Sequence, residues 1–192
     1  MKRRLSILLL VNLLFIGGGY FIYQALKIEI KAKLAQVLLH NTWNNTLKTG
    51  KFYQPWPSLD GKPILLLEIP NHNISQIVLN GTSMQNLAYG PSLHEESFLP
   101  HEQKVSIISS HRDNHGIYIK KLQLGDEIRL QDQYKKWHSY IINDFFIINV
   151  LKDKIFMKNN DKHLLLVTCY PFNAIRSGTP YRYVVSAKKN II

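Results

Sequence analysis

Apolar residues fall into two regimes along this chain. From residue 5 to residue 26 they run almost without interruption, broken only by Ser6, Asn12, Gln24 and the glycines Gly17, Gly18 and Gly19, with no charged side chain among them. A helix of that length, rising about 1.5 Å per residue, crosses a hydrocarbon core about 30 Å thick, so the pattern predicts a membrane span. Beyond it Ile28, Ile30, Leu34, Val37 and Leu38 recur at helical spacing between lysines. That spacing predicts a stalk that continues the helix outward. Residues 41–60 carry Pro55, Trp56, Pro57 and Asp60 and lead into Gly61, a composition that predicts a linker.

From Pro63 the period shortens. Runs at 64–69, 74–79, 105–108, 127–130, 140–142, 145–150, 164–168 and 183–185 are rich in Ile, Leu, Val, Tyr and Phe. They are punctuated by Asn80, Gly81, Gly125, Asp126, Pro171 and Gly178, and helical turns fit near 83–87 and 117–122. Many short strands with few long helical patterns predict a mainly β domain, closed as a barrel or layered as a sandwich. The domain plan is therefore a basic tip and anchor over 1–26, a stalk and linker over 27–62, and a β domain over 63–192.

Charge refines the plan. The 192 residues hold 24 Lys and Arg against 13 Asp and Glu, a net charge of +11. Lys2, Arg3, Arg4, Lys27, Lys31 and Lys33 all lie before residue 34, opposed there by Glu29 alone. Positive charge ahead of a span stays in the cytoplasm, which puts everything after Lys27 outside. Phe21, Ile22 and Tyr23 offer no small-residue cleavage site, so the segment reads as an uncleaved anchor rather than a signal peptide. The basic residues of the β domain are dispersed, as at Lys120, Lys135 and Lys188, with no stripe suited to a phosphate backbone, which argues against nucleic acid as a partner.

Cys169 is the single cysteine, so an exported domain cannot use it for an internal disulfide. It is either an inert buried residue or a reactive thiol. No metal site is expected: His111 and His115 are four apart but lack the Glu of a zinc-peptidase helix, and Glu95 with Glu96 reads as a solvated acidic loop. Leu164, Leu165, Leu166, Val167 and Thr168 lead directly into Cys169 and then, past Tyr170, into Pro171. Such a strand holds a thiol rigidly where it leaves the core. Ile107, Ile108, Ser109 and Ser110 end likewise on His111, from where an imidazole can face a cleft and pair with a thiol; His115 competes for that role. Arg182 opens the run Tyr183, Val184, Val185 and can aim a guanidinium at an oxyanion. Arg112 and Arg176 are its competitors, although strand alternation carried past Ser110 points Arg112 away from His111. Taken singly, each of these residues also has an ordinary structural reading.

Together they resemble the sortases, membrane-anchored cysteine transpeptidases. The family signature Thr-Leu-x-Thr-Cys is matched by Leu165, Leu166, Val167, Thr168 and Cys169 except at its first position. The histidine region Gly-His-Arg-Asp-x-His followed by a Gly-Asp segment is matched by Ser110, His111, Arg112, Asp113, Asn114 and His115, leading to Gly125 and Asp126, with Ser110 in place of Gly. Arg182 precedes an apolar strand ending at Ala187, and the order His, Cys, Arg agrees as well. The likeness covers residues 60–188 and looks closest to the small single-domain type of Gram-negative bacteria.

The resemblance implies a closed eight-stranded sortase-like β-barrel with short helices, preceded by one transmembrane helix. It implies Cys169 as nucleophile, His111 as general acid and Arg182 as stabiliser of the oxyanion or holder of the substrate, with no cofactor and no metal. The implied partner is a secreted, membrane-tethered protein carrying a C-terminal Leu-Pro-x-Thr-Gly-like sorting signal, cut between Thr and Gly and passed to an amine acceptor. The implied location is the bacterial cytoplasmic membrane, single-pass, with the catalytic domain outside. Two alternatives stay open: a hydrolytic cysteine peptidase using the same pair, and a non-enzymatic, membrane-tethered basic binding module with a merely structural cysteine.

Overall fold

The structure is a computed structural model that describes residues 2–102, 104–153, 163–174 and 178–190, with the side chains of residues 2–11, 24–29 and 31–33 outside the description. The chain divides into two compact units, residues 1–37 and residues 38–192. The helix α1 (Lys2–Thr49) runs through the first unit and ends in the second. Among the described residues no helix is long and apolar enough to cross a membrane. Much of the expected span, residues 5–11 and 24–26, lies outside the described side chains.

The second unit is a closed barrel. Its strands are β1 (Pro63–Ile69), β2 (Ile74–Asn80), β3 (Ser92–Leu93), β4 (Ser106–Ser110), β5 (Glu127–Gln131), β6 (Trp137–Asn149), β7 (His163–Tyr170) and β8 (Tyr181–Lys189). They close in the order β1-β2-β3-β4-β7-β8-β6-β5. The β2/β3 and β4/β7 pairs are parallel and the other pairs antiparallel. Of the two architectures open to the strand pattern, the barrel is the one that leaves no sheet edge unpaired.

Alternation sets the core. Leu65, Leu67 and Ile69 of β1, Ile128 and Leu130 of β5, Leu164 and Leu166 of β7, and Val185 and Ala187 of β8 point inward and are buried together. A second apolar cluster lies on the outer face, formed by Val105 just before β4, Ile107 of β4, Leu165 and Val167 of β7 and Val184 of β8, joined by Phe146 and Ile148. Burial on both faces explains why these strands read as nearly unbroken apolar runs.

Two strand expectations change. The runs 140–142 and 145–150 belong to one strand, β6, because a register shift between Ile142 and Asp144 absorbs one extra residue. His138, Tyr140 and Ile142 face in before the bulge, whereas Phe146 and Ile148 face out after it. Strand β3 escapes the pattern because two residues cannot show a period. The expected helical turns are present as the helix α2 (Met84–Tyr89), capped by the Ser83 hydroxyl accepting from the Asn86 N–H, and as a 3-10 turn over Ile117–Lys121.

The segment expected to be a linker over 41–60 begins as helix, since α1 reaches Thr49. Leu39, Trp43 and Leu47 recur every four residues, one stripe of a helix, and Leu39 and Trp43 are buried against Leu59 and against Ile77 and Leu79 on the outer face of β2. Asp60 N–H donates to Gln85 Oε1 at 3.1 Å, which ties the following stretch to α2. Trp43→Ala should therefore cost the β domain about 3–5 kcal/mol, the usual penalty for emptying a buried aromatic site. Denaturant titration of a chain beginning at Leu34 checks this; a loss under about 1 kcal/mol would show the helix end to be a loose stalk.

Candidate active site

Cys169 is the penultimate residue of β7, and its partner across the antiparallel ladder is Arg182 of β8. Directly opposed residues share a face, so thiol and guanidinium project on the same side of the sheet. On the other side of β7 runs β4, parallel and in register, with Ser110 beside Thr168. Parallel strands end at the same rim, so His111, the first residue past β4, emerges beside Cys169. Three adjacent strands thus deliver the three residues to one cleft of about 400 Å³, lined by His111, Arg112, Asp113, Cys169, Thr179 and Arg182 among others.

The strand ends are locked from inside the barrel. The Thr168 hydroxyl, buried, donates to the Ser110 carbonyl at 2.8 Å. The chain after His111 folds straight back: the Gly116 N–H donates to the His111 carbonyl at 2.8 Å. A Cβ on Gly116 would stand 2.5 Å from Ser110 Oγ, 2.9 Å from the His111 carbonyl oxygen and 3.1 Å from Thr168 Oγ1. Only glycine fits that approach. Sequence reading did not single out Gly116, although its place just after His115 was the available signal.

Arg182 is held by one nitrogen. Its Nη1 donates to the carbonyls of Thr179 at 2.6 Å and Tyr181 at 2.9 Å. Among the described residues Nε and Nη2 have no hydrogen-bond partner, so a second edge of the guanidinium remains for a ligand. The two histidines separate clearly. His111 lines the cleft, whereas His115 points a ring nitrogen at the Ala88 carbonyl, 3.3 Å away, and burial holds its pKa below the ordinary histidine value.

Arg112 departs from expectation. It lines the cleft with His111 instead of pointing away, because the strand ends at Ser110 and a turn over 112–116 breaks the alternation. Its guanidinium grips Asp113 with Nε and Nη2, each at 2.9 Å, and this contact lowers the Asp113 carboxyl below the usual carboxylate range. Arg176 lies outside the described residues. Met84 is a lining residue that sequence reading missed; α2 presents it to the cleft 76% exposed. Among the described residues no group of His, Cys, Asp and Glu is placed to hold a metal ion.

A second recess of about 290 Å³ opens on the outer face beside the first. Ile107, Val167, Ile148 and Val150 give it an apolar lining, His94 and Glu96 a polar rim, and Arg182 lines both recesses. The thiol therefore shares one cleft with an imidazole and a guanidinium, and Arg182 also lines the partly apolar recess beside it.

A sortase domain model matches residues 67–190, which include β2 to β8 and all three of these side chains. The chain belongs to the sortase family. It is 28% identical over 124 residues to Sortase D of Bacillus subtilis (strain 168), a match covering 65% of this chain and 62% of that protein. The chain thus spans under two thirds of the length of that relative. Its fold is similar to that of a Clostridium perfringens Sortase D5 transpeptidase, with a TM-score of 0.63 and 23% identity over 82% of this chain and 97% of the other. It is also similar to C. perfringens sortase C in a structure with the C-terminal cell wall sorting motif, with a TM-score of 0.58 and 22% identity over 84% of this chain and 90% of the other. The expected eight-stranded sortase barrel is the observed one.

Within this sortase barrel the contact at Gly116 makes a sharp prediction. Gly116→Ala should destabilise the domain by about 1–3 kcal/mol, the range for forcing atoms into a filled space. Thermal melting should show the drop; an unchanged melting temperature would mean that the loop after His111 yields freely.

Proposed function

We propose that the protein is a cysteine transpeptidase that cuts a C-terminal Leu-Pro-x-Thr-Gly-like sorting signal and joins the new carboxyl end to an amine. The observation carrying this reading is the delivery of Cys169, His111 and Arg182 to one cleft by the adjacent strands β4, β7 and β8. A thiolate is the nucleophilic form of cysteine, and a neighbouring imidazolium favours it. The Cys169 sulfur attacks the threonine carbonyl carbon, the C–N bond to glycine breaks, and the proton on His111 passes to the departing amine. The products are a thioester on Cys169 and a free peptide amine. An incoming amine then attacks the thioester, gives its proton back to His111, and releases the thiolate with a new amide bond.

Charge builds on the carbonyl oxygen in both tetrahedral intermediates. Arg182 offers its free edge there or to the backbone of the bound signal. The apolar recess along Ile107, Val167 and Ile148 suits the leucine and proline of such a signal. Support for this substrate class comes from the similar C. perfringens sortase C, whose structure was determined with a C-terminal cell wall sorting motif.

Residues 5–26 act in this reading as the anchor in the bacterial cytoplasmic membrane, with the barrel outside. The support is their uncharged sequence behind the basic tip of Lys2, Arg3 and Arg4. A substrate tethered in the same bilayer then meets the enzyme at raised effective concentration. On cell fractionation the full chain should sediment with membranes and resist carbonate extraction, while a chain beginning at Leu34 stays in solution and keeps peptide cleavage. A full chain found in the soluble fraction would overturn the tether.

Cleavage of a fluorogenic signal peptide tests the chemistry. Cys169→Ala should abolish turnover with an unchanged circular dichroism spectrum, and His111→Ala should slow it at least about 100-fold, the low end for positioned proton transfer. Arg182→Ala should lose about 100- to 1000-fold, as for an oxyanion donor. Arg182→Lys should fail as well, since an ammonium lacks the second edge. His115→Ala should be the mildest of the set. Full activity in Cys169→Ala would overturn the cysteine transpeptidase reading, no cleavage by the wild type would leave the binding module standing, and products unchanged by added amine would favour the hydrolytic peptidase.

A further inference from the structure

Arg112 is the most fully engaged side chain at the rim of the cleft, and the proposed reaction gives it no role. Its Nε and Nη2 each donate to one oxygen of Asp113 at 2.9 Å, a two-pronged grip within its own loop. The other edge reaches across the cleft: Nη1 donates to the Pro171 carbonyl at 2.6 Å and Nη2 to the Ala174 carbonyl at 2.9 Å. These two acceptors are the ends of the turn that follows Cys169 and Tyr170, closed by the Ala174 N–H donating to the Pro171 carbonyl at 3.3 Å. The loop that carries His111 and the loop that leaves Cys169 are 59 and 62 residues apart in sequence at these contacts. Four of the five guanidinium hydrogens are thereby committed.

We propose that Arg112 is a positioning residue, a staple between those two loops that sets the gap between the His111 imidazole, which gives and takes back the proton, and the Cys169 sulfur, which forms and breaks the thioester. The proposal rests on the cysteine–histidine reading above. An ion pair with an exposed carboxylate carries little weight by itself, and Asp113 is 73% exposed. The Arg112 side chain, by contrast, is only 10% exposed, and the value of its guanidinium lies in its shape: a rigid planar fork that satisfies a carboxylate on one edge and two backbone carbonyls on the other. Beyond Ser110 and Thr168 no ladder joins β4 to β7, so past that point the backbone alone does not hold the imidazole to the thiol. An error of about 1 Å in such a gap can cost on the order of 100-fold in rate. With one hydrogen uncommitted, Arg112 is also a poorer oxyanion donor than Arg182, whose Nε and Nη2 are free among the described residues.

The charge of Arg112 also reaches the Cys169 sulfur, so charge and shape must be separated. The test follows two quantities in full-length wild type and in Arg112→Ala and Arg112→Lys. One is the single-turnover rate of thioester formation with a Leu-Pro-x-Thr-Gly peptide; the other is the pH dependence of Cys169 alkylation by iodoacetamide, which reads the thiolate. Arg112→Ala should acylate at least about 30-fold more slowly, within the penalty for a displaced reacting group. Arg112→Lys keeps the charge and loses the fork. Its alkylation profile should match wild type while acylation remains at least about 10-fold slow, with KM changed less than about threefold. Acylation by Arg112→Lys within about threefold of wild type would overturn the staple, as would a wild-type rate in Arg112→Ala. Should Arg112→Ala fail to fold, Arg112→Lys and Asp113→Asn decide: the latter removes the charge that aims the fork and should slow acylation by an intermediate factor, and a wild-type rate in both would reject the proposal. Turnover by Cys169→Ala is a different result, since it removes the chemistry that Arg112 is argued to serve.

Discussion

The parallel ladder between β4 and β7 is the constraint on which the site depends. Parallel strands enter and leave a sheet on the same sides, so residues next to each other in register leave at the same rim. Five consecutive pairs, from Ser106 beside Leu164 to Ser110 beside Thr168, fix where the pairing of the two strands stops. His111 and Cys169 are the next residues on each. An antiparallel pairing of the same segments would have sent them to opposite ends of the barrel. The buried bond from the Thr168 hydroxyl to the Ser110 carbonyl secures the last step of that ladder in a setting where water cannot compete for either group.

The surrounding structure serves this ladder in layers. Inside, Leu164, Leu166 and Ile108 fill the barrel; outside, Leu165, Val167 and Ile107 lie under Phe146 and Ile148. A slip of β7 by one residue would turn Thr168 to the other face and break its buried bond to the Ser110 carbonyl, so the register that sets Cys169 against Arg182 is held at this end of the barrel. The side chains that complete the cleft come from loops instead. Met84 stands on the short helix after β2, Thr179 in the loop before β8, and Arg112 and Asp113 in the turn after β4. Cys169 and Arg182 stand on rigid strands and His111 directly past the end of one, while the loops shape what surrounds them.

The bulge in β6 shapes the outer recess as well. One extra residue near Asn143 reverses the inside-outside phase of the strand, so Ile148 faces the outer recess that Arg182 also lines. Without that reversal the second half of the strand would turn this apolar residue into the barrel, and the outer recess would lose one wall. Aromatic packing marks the same end of the barrel from within: Tyr183 stacks on Phe145 and on Tyr170, with ring centroids 6.0 and 6.2 Å apart.

Local pattern by itself determines much of this protein. Seven of the eight strand positions, the helical turn near 83–87, the family likeness and the candidate residues Cys169, His111 and Arg182 are all legible because each depends on neighbours a few residues away: alternation, a turn signal, or a motif read in one stretch. What depends on distant pairing stays hidden at that level. The two-residue β3 exists only because β2 and β4 flank it, the fusion of two apolar runs into β6 only because β8 pairs with both, and the burial of Trp43 only because the outer face of β2 needed cover. Arg112 is the sharpest instance. Strand alternation turns it away from the cleft, but a side chain past the end of a strand is aimed by its partners, and those are carbonyls some sixty residues further on. Sequence spacing governs where a ladder can run; contacts between loops are decided only when the barrel closes and brings their ends together.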